Sequence, residues 1–181
     1  MKKSLRNIFV CVICAGLCIG YYYYLSHRDA VKEKELTEVE MVITKDLDSS
    51  YPKTAREVVK FYNRILQCYY NEKHTEKELM QLTNQAGILM DQELRKQNPK
   101  DMYLESVKSD IANYKDKDKT IVTATTESAN EVDYKTVENA ECAYVDASYY
   151  IKEGKTSQRS SQTYILRKDD KGMWRMLGFY Q

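Results

Sequence analysis

The sequence predicts an α+β fold: three helices packed on a curved, cone-like antiparallel sheet of about four strands, preceded by an N-terminal transmembrane helix. Three observations predict it. Residues 8–25 form an uncharged run. Between residues 51 and 114, apolar side chains recur at spacings of three, four and seven, the period of an amphipathic helix. After the polar stretch KDKDK the period falls to two and β-branched residues become common, as in strands. Helices that precede strands, rather than alternate with them, fit helices segregated on one sheet face.

Bulk composition sets the frame. The chain has 181 residues, 43% hydrophobic and 30% charged, which suits a globular domain. Sixteen tyrosines stand against three phenylalanines, so many half-buried rings with wet hydroxyls are expected. Setting aside Lys2, Lys3 and Arg6 leaves 25 basic against 27 acidic residues. Nucleic acid is therefore not an expected partner, because a phosphate-binding surface needs a basic excess.

The first element is residues 8–25. As a helix, 18 residues would span about 27 Å, close to a bilayer core. Lys2, Lys3 and Arg6 place residues 1–7 in the cytoplasm and the remaining domain outside. Tyr21, Tyr22, Tyr23 and Tyr24 fall at the headgroup layer, where amphipathic rings are favoured. Gly16 and Gly20 form a small-xxx-small pattern, a candidate helix-dimer contact. Cys11, Cys14 and Cys18 read as small apolar residues rather than a metal or lipidation site. The alternative is a cleaved leader cut near Gly20.

Residues 26–50 alternate in charge and are expected to be a stalk. Leu36, Val39, Ile43 and Leu47 fit a helix there, while Val39, Met41 and Ile43 fit a strand equally well. The outer domain is expected over 51–181. Its first helix starts near the serines before Pro52 and carries Ala55, Val58, Val59, Tyr62, Ile65, Leu66 and Tyr69 on one face. Thr75 and Glu78 make a capping box for the second helix, with Leu79, Leu82, Ala86, Leu89, Met90 and Leu94 as its stripe. Pro99 ends that region. The third helix runs from Lys100 to Tyr114, with Leu104, Val107, Ile111 and Tyr114 on one face.

The strands follow. TIVTATTE is the first. In ECAYVDASYYIKEGK, alternation puts Ala143, Val145, Ala147, Tyr149 and Ile151 on the buried face. Glu153-Gly154-Lys155 is a hairpin turn into SQTYILRK, and Asp169–Gly172 is a turn into MWRMLGFYQ. That last strand is expected to carry Trp174, Met176 and Tyr180 on one face.

The ending YILRKDDKGMWRMLGFYQ, through Lys171, Gly172, Trp174, Arg175 and Met176, resembles the nuclear-transport-factor-2-like, or SnoaL-like, superfamily over about residues 51–181. With SSYPKTAREVVKFYNRI, the chain also looks like an anchored, exported family of clostridia-like gut bacteria. The superfamily resemblance implies a cone-shaped pocket used for small-molecule chemistry or ligand binding. It also implies members that pair two copies through the sheet or build membrane machines. A fold does not choose among these.

Residue chemistry adds little. No phosphate loop, HExxH or GxSxG is present. His27 and His74 have no nucleophile or ligand beside them. Asp146 with Tyr144 and Tyr150 is the best acid–phenol set, but alternation places it opposite the apolar face. No catalytic, cofactor or metal residues are assigned. Tyr62, Tyr69, Tyr149 and Trp174 are the candidate pocket lining. Cys68 and Cys142 read as free thiols, with a disulfide as the alternative. The leading expectation is a non-enzymatic binding or scaffolding module of a cell-envelope assembly, with membrane lipid, and a protein partner or second copy, as partners. The alternative is a small-molecule or isomerase-like pocket, or a secreted domain released near Gly20.

Overall fold

A computed structural model describes residues 13–24 and 36–181. Residues 13–24 are helical. Among the described residues no helix is long and apolar enough to cross a membrane. The two ends of the expected span, residues 8–12 and 25, lie outside the described residues, as does His27. Gly16, Gly20 and Tyr21–Tyr24 are exposed on the helical segment.

The second unit begins at Leu36, not at residue 51. The charged stretch expected to be a stalk supplies helix α1, Glu38–Ile43, capped by a box between Thr37 and Glu40. Val39, Val42 and Leu47 are buried. The Gln85 amide donates to the Ile43 and Lys45 carbonyls at 3.1 and 2.9 Å, holding the exit of α1 against its neighbour. Of the helix and the strand that the apolar positions fitted equally well, the helix is the one formed.

Helix α2 spans Ala55–Asn71. It starts one turn later than the serines suggested, because Thr54 and Glu57 form the capping box. Helix α3, Glu76–Leu89, has the expected Thr75–Glu78 box. Its stripe does not continue to Leu94. Met90 leaves the helix to bridge Met176, and Asp91 caps a separate short helix, α4, Gln92–Gln97. The Asp91 carboxylate is buried and accepts from Arg167 at 2.7 Å, and its backbone N–H donates to the Met176 carbonyl at 2.7 Å. Helix α5 spans Lys100–Asp116, with Val107 buried and Leu104, Ile111 and Tyr114 packed on the core.

Five antiparallel strands follow: β1 Lys119–Thr126, β2 Asp133–Val137, β3 Ala140–Glu153, β4 Thr156–Lys168 and β5 Trp174–Tyr180. The order is β1-β3-β4-β5, and β2 shares the β1 edge of the long strand β3. Sequence reading missed β2. It is exposed along its whole length and lacks alternation. Its turn, Glu138-Asn139, contains no glycine, although both residues have positive φ, 50° and 67°.

The inner face of β3 is as expected: Ala143, Val145, Ala147 and Tyr149 are buried. They join Val58, Val59, Ile65, Leu166 and Met176 in one core. Each fully buried Val, Leu or Ile side chain contributes about 1.5–3 kcal/mol. One facing was wrong. The register shifts between Ile165 and Leu166, leaving Leu177 as an extra residue in β5. Trp174 and Met176 therefore face inward, and Tyr180, opposite Thr163, turns out to solvent. Val122 is the corresponding extra residue in β1. Beside it, Asn71 at the end of α2 pairs with both backbone groups of Ile121, at 2.8 and 2.9 Å, as a neighbouring strand would.

A tyrosine-walled candidate ligand cavity

On α2, Tyr62, Leu66, Tyr69 and Tyr70 fall at i, i+4, i+7 and i+8, so one helical face presents them together. On α5, Tyr103, Val107, Asp110 and Tyr114 repeat that logic at i, i+4, i+7 and i+11. The inner sheet face adds Ile121, Tyr149, Ile151, Ser160, Gln162, Tyr164 and Phe179. These walls border an open cavity of about 360 Å³. That size lies in the range of small-molecule sites, about 300–1,000 Å³.

The floor is buried: Tyr69, Val107, Ile121, Tyr149 and Tyr164. Ser106, Asp110 and Phe179 stand exposed at the rim. A smaller recess of about 100 Å³ lies alongside, sharing Tyr62, Tyr103, Tyr164 and Phe179 and adding Met90, Leu94 and Met176. Rings meet edge to face between Tyr62 and Tyr164, 5.8 Å apart, while Tyr70 and Tyr114 stack at 3.9 Å.

The floor carries a hydrogen-bond chain. The Tyr149 hydroxyl meets Asn63 Oδ1 at 2.6 Å and the Tyr164 hydroxyl at 2.6 Å, and Tyr164 meets Gln162 Oε1 at 2.9 Å. Two phenols bring two protons to three contacts. One end amide must therefore turn its NH₂ toward a phenol oxygen. Turning Asn63 runs the chain outward to Gln162 at the cavity wall, and leaves the amide oxygen rather than its nitrogen unpartnered. The buried Tyr69 hydroxyl, by contrast, makes no short hydrogen bond among the described residues; the Tyr103 hydroxyl is its polar neighbour. A buried hydroxyl without a short hydrogen bond is uncommon and calls for an explanation.

Burial holds the phenols in their neutral form. It pushes Tyr149 up to about 12 and raises Tyr62, Tyr69, Tyr70, Tyr103 and Tyr164 further. The Asp110 carboxylate adds to the rise at Tyr62, Tyr70 and Tyr114.

A family description matches this chain over residues 1–179: domain of unknown function, DUF6715. The chain belongs to the DUF6715 family. No curated protein matches it.

Three of the four residues expected to line a pocket in this DUF6715 domain do so: Tyr62, Tyr69 and Tyr149. Trp174 does not. It opens β5 at the far end of the sheet, packs on Tyr134 and lies under the Lys168 ammonium. The lining residues missed by sequence reading are Tyr70, Tyr103 and Tyr164. Helical spacing from Leu66 and Val107, and alternation with Leu166, carried the signal for each.

Asp146 lies on the outer sheet face, exposed, with Thr163 donating to its carboxylate at 2.5 Å. Tyr144 and Tyr150 share that face, away from the cavity. Cys68 and Cys142 are free, buried thiols. Burial pushes Cys68 up to about 11, so it is a poor nucleophile. Nε2 of His74 meets the Tyr69 carbonyl at 3.2 Å and closes the end of α2. Among the described residues no three His, Cys, Asp or Glu side chains converge as metal ligands would.

Proposed function

We propose that this DUF6715 domain binds a small molecule in the tyrosine-walled cavity, and that residues 8–25 hold it at the outer face of a membrane. The carrying observation is a 360 Å³ cavity bordered by seven tyrosines, with the Tyr69 hydroxyl on its buried floor making no short hydrogen bond. A packed core rarely leaves both a void of this size and a loosely bonded buried hydroxyl. The superfamily resemblance, with its cone-shaped pocket, supports the same reading. The activity is binding rather than isomerisation: the wall's carboxylate, Asp110, is exposed at the rim, and neither His nor Cys lines the cavity.

The anchor rests on the uncharged run of residues 8–25 and the basic residues before it. Resistance of the protein to alkaline carbonate extraction from its native membranes tests it; release into the wash counts against it.

The cavity is tested by ligand-observed NMR with a set of soluble aromatic fragments. Ser106→Trp puts an indole at the exposed rim without touching the floor. Saturable binding that this variant abolishes is expected. Absence of saturable binding, or binding indifferent to the block, overturns the reading.

A second reading, a protein-interaction or self-pairing module of a cell-envelope assembly, is favoured by the outer sheet face, where Tyr150 and Tyr180 are about half exposed, at 46% and 53%. Crosslinking in native cells tests it: a discrete partner or a second copy attached through that face supports it, and crosslinks confined to the helices oppose it.

A further inference from the structure

We infer that the ligand of this cavity is an organic ammonium cation bearing an apolar, ring-sized body. The inference rests on the cavity being a ligand site and adds the charge and class of the ligand.

Three observations carry it. First, the walls contain no Lys, Arg or His, and Asp110 at the rim is their one ionised side chain. An anion entering the cavity needs cationic partners or several N–H donors; no cation lines it, and the side-chain N–H groups on offer are the amides of Asn98, Gln162 and Gln181. Second, seven tyrosines border the space. Aromatic faces carry negative potential and attract ammonium groups, more strongly when water is excluded. Third, the Tyr69 hydroxyl is buried at the floor, makes no short hydrogen bond, and has only the Tyr103 hydroxyl beside it. Its oxygen can accept an ammonium N–H, a stronger partner than the neighbouring phenol. The Asp110 carboxylate acts in the same direction. It raises the pKa of Tyr62, Tyr70 and Tyr114, so its field reaches the cavity walls and opposes further negative charge there.

The test is calorimetric titration of the full-length protein, in a non-ionic detergent, with three probes of matched size: benzylammonium, benzyl alcohol and benzoate. Benzylammonium is expected to bind about tenfold more tightly than either other probe, between the exposed and the desolvated cation–π range. Asp110→Asn, an exposed change that leaves the core intact, is expected to weaken benzylammonium several-fold and leave benzyl alcohol unchanged. If benzyl alcohol binds as well as benzylammonium, or benzoate binds best, the ammonium inference is wrong and the cavity remains a ligand site. If no probe binds, the ligand-site reading falls and this inference with it. A cation preference that survives Asp110→Asn undiminished overturns the role given to that carboxylate.

Discussion

The Tyr149 and Tyr164 hydroxyls stand 2.6 Å apart across strands β3 and β4, and each also meets a side-chain amide, Asn63 or Gln162. The chain lies on the cavity floor, so it fixes two of the rings that shape the space. Tyr149→Phe strips Asn63, itself buried, of the hydroxyl that meets it. An orphaned buried amide costs about 1–3 kcal/mol. Urea unfolding should show a loss of that size. The double cycle with Tyr164→Phe should return a coupling of about 1 kcal/mol, since the two phenols share a bond.

Alkali should unfold the domain. A buried phenol keeps its proton to higher pH than in the unfolded chain, so above pH 10 the unfolded state releases protons first. Stability is complete below about pH 10 and falls as pH rises toward 12, the range set by Tyr51 and Tyr149, each pushed by burial from 10 to about 12. Tyrosinate absorbance from these residues should appear together with the loss of circular dichroism. Their full ionisation in a protein that keeps its structure would contradict this account.

Asn71 substitutes for a strand neighbour by bonding both backbone groups of Ile121. Asn71→Ala should cost about 1–3 kcal/mol, because both Ile121 groups lose their partner. Asn71→Asp keeps the acceptor and loses the donor, and should fall between the two in thermal denaturation.

The Asp91 carboxylate caps α4 and holds Arg167 from within the core. Asp91→Ala should destabilise by about 2 kcal/mol, the scale of a lost charged hydrogen bond. Denaturant midpoints measure this, and a shift within error would show the cluster to be ornamental.

Glu138 and Asn139 form a two-residue turn with positive φ at both positions, where asparagine and glycine are favoured. Replacing the pair with Asn-Gly should stabilise the β2–β3 hairpin by about 1 kcal/mol, read as slower amide exchange in β2.

Much of this fold was legible because its signals are local. Thr75 with Glu78, the glycines at 154 and 172, and the alternation from Ala143 to Ile151 each specify structure within a few residues. What failed depends on distant partners. The break at Met90 and Asp91 exists because Met176 and Arg167 capture them. The reversal at Tyr180 follows from one extra residue, Leu177, that only the β4 register reveals. Trp174 was misplaced for the same reason: being on the inner face does not say which end of the sheet holds the cavity. The tyrosines of α2 were visible at helical spacing, but the void between α2, α5 and the sheet was not. Whether such rings fill a space or border one is a property of packing.

The most direct measurement is NMR of the full-length protein with carbon-labelled tyrosine rings during titration with benzylammonium. The account predicts that resonances of Tyr70, Tyr103 and Tyr114 move and saturate, while those of Tyr144, Tyr150 and Tyr180 on the outer sheet face stay fixed. Shifts confined to the outer face, or none at saturating probe, would contradict it.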